Sequence, residues 1–190
     1  MKSMRSKPVS ALWLQEADAR ALVSHATAAA PEEICGLLAG RDTVISEVIS
    51  IRNAALDPQQ TFYMDQDEFK ARLHDLERRG LSVIGFYHSH PQGDPTPSPA
   101  DIRSAYYPEI PHLLIGLRGR PRLAAWRIKH GSVEPVPLHI GSPRTMDERR
   151  APASQLSPAQ KIAIVLSAAG AFIFLILLSL ALLPPAPPIP

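Results

Sequence analysis

The residues best suited to chemistry lie in one short segment, residues 88–101, with the sequence HSHPQGDPTPSPAD. His88 and His90 are separated by one residue, so on a β-strand both imidazoles project to the same side. Two imidazoles and the carboxylate of Asp101 form a donor set that suits zinc, and three protein ligands leave the fourth tetrahedral position for water. The segment therefore predicts a catalytic site with one zinc per chain, where bound zinc lowers the pKa of water toward about 7.

Hydrolysis by such a site also needs a base and a group that steadies the developing oxyanion. Glu33 or its neighbour Glu32, at the head of an apolar run, is a candidate base, and Ser98 is a candidate donor. Residues 98–101 (SPAD) are also typical of a helix start, with serine as the N-cap and proline in the first turn. The two interpretations are compatible, because a helix N-terminus can hold Asp101 rigidly while its carboxylate faces a metal.

Each of these residues also has a purely structural interpretation. A lone His-x-His pair is weak evidence for a metal, and two acidic residues after a proline are often only solvated charges. Cys35 is predicted to be a small apolar core residue rather than a nucleophile. The remaining histidines show no ligand spacing and are predicted to be structural or exposed: His25, His74, His112, His130 and His139.

The surrounding elements must hold this segment in place. Hydrophobic periodicity, turn residues and helix boundaries predict helices and strands in alternation. Their order predicts an α/β or α+β fold in which a mixed β-sheet is flanked by helices. The predicted helices are 12–30, 65–80 and 99–107, and the predicted strands are 33–40, 43–51, 81–90, 112–118, 122–130 and 133–140.

The composition excludes several classes of protein. The chain is 45% hydrophobic and 20% charged, which is typical of a globular domain rather than a disordered or coiled-coil chain. One cysteine among 190 residues excludes an intramolecular disulfide framework and a cysteine-rich zinc site. The formal net charge of +2, without a concentrated basic patch, predicts no nucleic-acid partner.

The C-terminal part of the sequence differs in character from the rest. Residues 162–183 carry no charge, and as a helix they would extend about 33 Å, enough to cross a hydrocarbon core of about 30 Å. We therefore predict a linker over 140–160, a transmembrane helix over 161–183 and a proline-rich tail over 184–190. The bases that precede the span predict a single-pass membrane protein whose N-terminal domain faces the cytoplasm. These bases are Arg144, Arg149, Arg150 and Lys161.

The pattern His-x-His-x7-Ser-x2-Asp, with an upstream glutamate in the segment EICGLL, resembles the motif of the JAMM (JAB1/MPN+/Mov34) metalloprotease family. The resemblance implies an MPN/JAB-like (cytidine-deaminase-like) domain in which His88, His90 and Asp101 bind zinc. It also implies that Glu33 acts as general base and acid, and that Ser98 stabilises the tetrahedral intermediate. Glu33, rather than its neighbour, occupies the position of the family glutamate.

The resemblance covers residues 11–139 and points to the compact bacterial members, since long insertions and a second cysteine are absent from the sequence. It implies a zinc-dependent isopeptidase that cleaves after the C-terminal Gly-Gly of a small ubiquitin-like β-grasp protein, such as a sulfur carrier, or its conjugate. The alternative is a non-catalytic, membrane-tethered MPN-type binding module for a ubiquitin-like partner. Sulfur-carrier processing and removal of a protein tag both remain open at this point.

Overall fold

The computed structural model describes residues 8–141. The predicted transmembrane helix over 161–183, the proline-rich tail over 184–190 and all but the first two residues of the predicted linker lie outside the described residues. Within the described range, no helix is both long enough and apolar enough to cross a bilayer.

The described residues form eight strands and three helices. In chain order they are β1 (Leu12–Leu14), α1 (Glu16–Ala29), β2 (Cys35–Arg41), β3 (Val44–Ile51), α2 (Gln66–Arg78), β4 (Ser82–His90), α3 (Pro99–Arg103), β5 (His112–Gly116), β6 (Arg122–Lys129), β7 (Ser132–Val136) and β8 (Leu138–Ile140).

The strands form one mixed sheet in the order β7-β6-β5-β4-β2-β3-β1-β8. Successive residues of the central strands face opposite sides. Leu38 and Ile84 pack with α1 residues such as Leu22, whereas Leu37 packs in a separate cluster with Leu76 of α2. The sheet is therefore covered by a helix on each face, which confirms the predicted mixed sheet flanked by helices.

Three predicted elements were wrong in their boundaries. Residues 12–14 belong to a strand, β1, which pairs in parallel with β3 and β8, so the helix begins only at Glu16. The predicted strand 133–140 is divided at Pro137 into β7 and β8, which lie at opposite edges of the sheet. Proline lacks the N–H that a continuous ladder needs. The predicted helix 99–107 ends at Arg103.

The pairing of β2 with β4 positions the candidate site residues. The two strands are antiparallel, and Cys35 lies opposite His88. Gly36 allows close packing here, because a Cβ at this position would lie 2.1 Å from the backbone oxygen of Ile49 and 2.6 Å from the ring of Tyr87. The start of β2 is thereby held against the end of β4, where the two candidate histidines lie.

Candidate metal centre

The structure brings His88, His90 and Asp101 together. Their ligand atoms all lie within 4.8 Å of one another. The Nε2 atoms of the two histidines are 3.1 Å apart, and each lies 3.3 Å from an oxygen of the Asp101 carboxylate. His88 is fully buried and Asp101 is 7% exposed, so this cluster is largely shielded from solvent.

This cluster fits a zinc ion. Two ligand atoms about 2.0–2.1 Å from a tetrahedral zinc are about 3.3 Å apart, close to the separations observed here. Nδ1 of His90 lies 3.0 Å from the carbonyl oxygen of Asp94 and can donate its proton there. That tautomer leaves the Nε2 lone pair of His90 directed toward the Asp101 carboxylate, an arrangement that a cation stabilises.

The charge states of Asp101 and His88 also suit a cation. Burial alone would raise the pKa of Asp101, but the adjacent imidazoles of His88 and His90 outweigh burial and hold that pKa well below its usual range. Burial lowers the pKa of His88, which keeps this ring neutral at pH 7. An ionised carboxylate and a neutral imidazole are the forms that bind divalent metals.

Asp101 is held by the first turn of α3. Ser98 is the N-cap, and its Oγ accepts a hydrogen bond of 3.2 Å from the backbone N–H of Asp101. In return the carboxylate of Asp101 accepts one of 2.7 Å from the backbone N–H of Ser98. The predicted helix start is thus confirmed, and it holds the carboxylate of Asp101 close to the two histidines.

The proline-rich loop after His90 is fixed to the sheet at several points. The indole N–H of Trp126 in β6 donates a 2.6 Å hydrogen bond to the carbonyl oxygen of Pro95. Arg118 donates a 3.2 Å hydrogen bond to the carbonyl oxygen of Gln92. A Cβ at Gly116 would lie 2.4 Å from the nitrogen of Pro95, so only glycine lets the loop rest on β5. These contacts hold the carbonyl that orients His90.

We expect Trp126→Phe to weaken zinc binding about tenfold, the lower end of the usual cost of losing support behind a metal ligand. The substitution keeps an aromatic ring but removes the donor to Pro95, so the loop and its contact with His90 become less constrained. Competition with a chromogenic chelator measures the change. Trp13→Phe is the matched control, because Trp13 stacks on His139 between β1 and β8. Equal losses in the two variants would contradict this assignment.

Glu33 lies beside the cluster although it is distant in sequence. Continuing the register of β2 and β4 beyond the Cys35–His88 pair places Glu33 opposite His90. The junction is closed by hydrogen bonds between Ile34 and Ser89, one from each backbone N–H. Burial raises the pKa of Glu33 to about 7, while the nearby His90 lowers it and Asp101 raises it. A carboxyl group of this pKa can accept and release a proton near neutral pH.

Glu32 and Cys35 do not share this position. Glu32 is exposed, so of the two adjacent glutamates only Glu33 is buried beside the histidines. Burial, with a smaller contribution from Glu33, raises the pKa of the Cys35 thiol to about 12, and its Sγ donates to the carbonyl oxygen of Ile51. Cys35 is thus a protonated core residue, which confirms the sequence interpretation.

Two residues near the cluster were missed by sequence reasoning. The ring of Phe62 stacks on that of His88 with centroids 4.3 Å apart. His112, predicted to be structural or exposed, is 7% exposed and lies edge-on to His88 at 6.3 Å. Burial lowers the pKa of His112 to about 4. No spacing signal identifies either residue, because each is brought to His88 by a different element of the fold.

Residues 15–129, more than half of the chain, match the family model described as prokaryotic homologs of the JAB domain. The chain belongs to this JAB-domain family. The match agrees with the JAMM-type resemblance of the motif and with the mixed sheet described above.

Several curated relatives have names that state an activity. The desampylase of Haloferax volcanii is 35% identical over 117 residues, which cover 58% of this chain and 84% of that protein. The CysO-cysteine peptidase of Mycobacterium tuberculosis is 31% identical over 125 residues, covering 63% of this chain and 84% of the relative. A probable TtuB-protein conjugate cleaving protease of Thermus thermophilus is 38% identical over 96 residues, covering 50% of this chain and 64% of the relative.

Solved structures support the same fold. The solution structure of a Desulfitobacterium hafniense protein matches with a TM-score of 0.63 and 29% identity, covering 69% of this chain and 93% of that one. The named relatives, which are hydrolases, confirm the expectation that the chain is an enzyme, a hydrolase of the JAB family.

Proposed function

We propose that this JAB-family protein is a zinc-dependent isopeptidase. Its substrate is a peptide or isopeptide bond that follows the C-terminal Gly-Gly of a small ubiquitin-like β-grasp protein. The observation that carries the proposal is the placement of the buried Glu33 opposite His90, beside a buried cluster of three metal-ligand side chains. The relatives support the substrate class, since one is named a probable TtuB-protein conjugate cleaving protease and another a CysO-cysteine peptidase.

The cluster of His88, His90 and Asp101 would hold the metal. Bound zinc supplies a Lewis acid that polarises the scissile carbonyl and acidifies water. Glu33 takes a proton from the attacking water and returns it to the leaving amine, a role that suits its pKa of about 7.

Ser98 is suited to stabilise the oxygen of the attacked carbonyl. Its Oγ accepts a hydrogen bond from the Asp101 backbone, and a hydroxyl that accepts one bond keeps its own proton to donate. The proton of Ser98 is therefore available to a developing oxyanion next to the Asp101 carboxylate.

The uncharged run over residues 162–183 supports attachment to a membrane. The bases that precede it favour a catalytic domain on the cytoplasmic side, where a conjugate of a cytoplasmic carrier would be accessible. Fractionation of cells, with protease protection of spheroplasts, tests this arrangement. Full-length protein in the soluble fraction would contradict it.

The test of the catalytic proposal uses the full-length chain and a ubiquitin-like β-grasp protein joined through its C-terminal glycine to a lysine side chain. We expect release of the carrier with an intact Gly-Gly terminus, loss of cleavage with a zinc chelator, and recovery when zinc is returned. The matched control is the same conjugate with alanine in place of the last glycine.

Two outcomes would overturn the proposal. One is zinc-loaded, folded protein that cleaves no such conjugate, and the other is cleavage that a chelator does not affect. Tight binding of the conjugate without cleavage would favour a binding module in place of a hydrolase.

A further inference from the structure

Glu33 is held in place by a segment that is distant from it in sequence. It lies just before β2, which begins at Cys35. The backbone N–H of Glu33 donates a 2.7 Å hydrogen bond to the carbonyl oxygen of Pro58, and its own carbonyl oxygen accepts one of 2.9 Å from Nδ2 of Asn53. Pro58 and Asn53 both belong to the segment 52–65, which joins β3 to α2. This segment therefore binds both backbone polar groups of the candidate base.

These bonds fix the two peptide planes on either side of the Glu33 Cα atom. The carbonyl group of Glu33 and the N–H of Ile34 belong to one planar peptide unit. Asn53 binds the oxygen of that unit, and Oγ of Ser89 on β4 accepts a 2.9 Å hydrogen bond from its N–H. Pro58 binds the preceding unit. Because φ and ψ follow from the orientation of these two planes, the direction in which the Glu33 side chain leaves the backbone is determined.

The side-chain amide of Asn53 makes four hydrogen bonds, which is the full capacity of an asparagine. Nδ2 donates to the carbonyl oxygens of Glu33 and Thr61, at 2.9 and 3.1 Å. Oδ1 accepts from the backbone N–H groups of Ala55 and Tyr63, both at 3.0 Å. An aspartate here would keep the acceptor oxygen but turn a second oxygen, without a proton to donate, toward two carbonyl oxygens. The site therefore requires an amide.

Three of the four bonds lie within the segment 52–65, and one leaves it. The three internal bonds close the segment into a loop, which a 2.7 Å hydrogen bond from the N–H of Ala54 to the carbonyl oxygen of Tyr63 reinforces. They also orient the amide, so its bond to Glu33 costs little further conformational freedom. Closing the loop needs only the internal bonds. The fourth bond, to a residue 20 positions away, has a different consequence, which is to fix the candidate base.

We propose that Asn53 is a positioning residue for Glu33. It orients the backbone of the base so that the carboxyl group lies beside His90 and Asp101. Its amide has no capacity left for substrate or metal, because all four of its hydrogen bonds are made within the protein. This inference rests on the proposed role of Glu33 as the base.

The first experiment measures kinetics on the Gly-Gly conjugate with the zinc-loaded, full-length chain. Asn53→Asp keeps the size and the acceptor oxygen but loses both donors. We expect kcat to fall about 10- to 100-fold while KM stays within about threefold, the effect of a misplaced base. Zinc content should remain at the wild-type value, because β4 and α3 hold the ligand atoms. Asn53→Ala, which adds no charge, should lower kcat to a similar extent.

Gln66→Glu is the matched control for these variants. Its side-chain amide donates a 2.9 Å hydrogen bond to the carbonyl oxygen of Met64, so the same chemical change removes an amide donor close to the same segment. That bond does not reach Glu33. We therefore expect kcat and zinc content of Gln66→Glu to equal those of the wild type.

A double-mutant cycle separates positioning from general support of the fold. In the Glu33→Gln background no proton-accepting carboxyl group remains to be positioned. Asn53→Asp should therefore lower kcat by no more than about a further twofold in that background. A residue that only supports the fold would lower kcat by the same factor in both backgrounds.

A second measurement needs neither a variant nor turnover. Asn53 is the only asparagine in the 190-residue chain, so side-chain ¹⁵N-labelled asparagine gives one amide signal in the NMR spectrum of the full-length protein in detergent. Both amide protons are hydrogen-bonded, and we expect them to exchange with solvent at least about tenfold more slowly than those of free asparagine. Exchange at the free rate would show that Nδ2 does not hold Glu33.

The outcomes separate this inference from the proposed function. Wild-type cleavage that Asn53→Asp leaves unchanged would overturn the positioning role and leave the cleavage proposal standing. Equal losses in both backgrounds of the cycle, or loss of zinc from Asn53→Asp, would also overturn it. A zinc-loaded wild type that cleaves no conjugate would overturn the proposed function itself, even if the amide protons exchange slowly. A large loss of kcat that disappears in the Glu33→Gln background would support the positioning role.

Discussion

Replacing Glu33 with glutamine is expected to lower kcat by about 10²–10⁴-fold while zinc remains bound. Glutamine keeps the size and most contacts of the side chain but can neither accept a proton from water nor return it to the leaving amine. Glu33 is 8% exposed, and burial raises its pKa to about 7, so the wild-type carboxyl can exchange protons near neutral pH. Steady-state kinetics on a Gly-Gly conjugate, together with zinc analysis of the same samples, measures both quantities.

Glu32→Gln is the matched control for this experiment. Glu32 is adjacent in sequence and exposed, so the same chemical change there should leave both kcat and zinc content unchanged. A fall of less than tenfold for Glu33→Gln would contradict the base assignment. Loss of zinc from that variant would show instead that Glu33 supports the metal cluster.

His90→Ala is expected to reduce the zinc content from about one per chain to nearly none after dialysis. The substitution removes one of three ligand atoms and the contact with the carbonyl oxygen of Asp94. Changes to groups that only support a ligand cost 10–100-fold in affinity, so loss of a ligand should cost more than about 100-fold. Metal analysis and chelator competition on the full-length chain measure the effect.

His25→Ala tests whether the effect is specific. His25 is exposed on α1, so the His25→Ala variant should bind zinc with the wild-type stoichiometry. Circular dichroism of both variants reports the fold, since the sheet does not depend on the His90 side chain. Folded His90→Ala protein with stoichiometric zinc would refute the ligand set.

The elements with strong local signals were predicted well. The hairpin of β2 and β3 follows from two apolar runs around a short turn, and α2 follows from Asp65, which caps its N-terminus through two backbone N–H groups. Gly80, which follows the C-cap residue Arg79, has a positive φ of 65°, as a helix stop requires. Interactions between residues close together in the chain determine each of these features, so the local sequence is sufficient to predict them.

Elements that depend on distant partners were predicted poorly. β1 is only three residues long and exists because β3 and β8 lie on either side of it. Its apolar residues fit a helical period equally well when the partners are unknown. Pro137 likewise separates two strands that pair at opposite edges of the sheet, which only the closure of the whole fold reveals.

The amino-acid sequence by itself determined which residues are candidates for chemistry. Ligand types at fixed spacing, an N-cap serine and a carboxylate three residues later are local properties, and they predict a metal-binding cluster held by a helix start. Only the tertiary structure decided what surrounds that cluster. Glu33 reaches His90 through strand pairing, Phe62 and His112 reach His88 through packing, and Trp126 reaches the loop through a hydrogen bond. The physical reason is that pairing and packing join residues far apart in the chain, and no spacing in the sequence records those contacts.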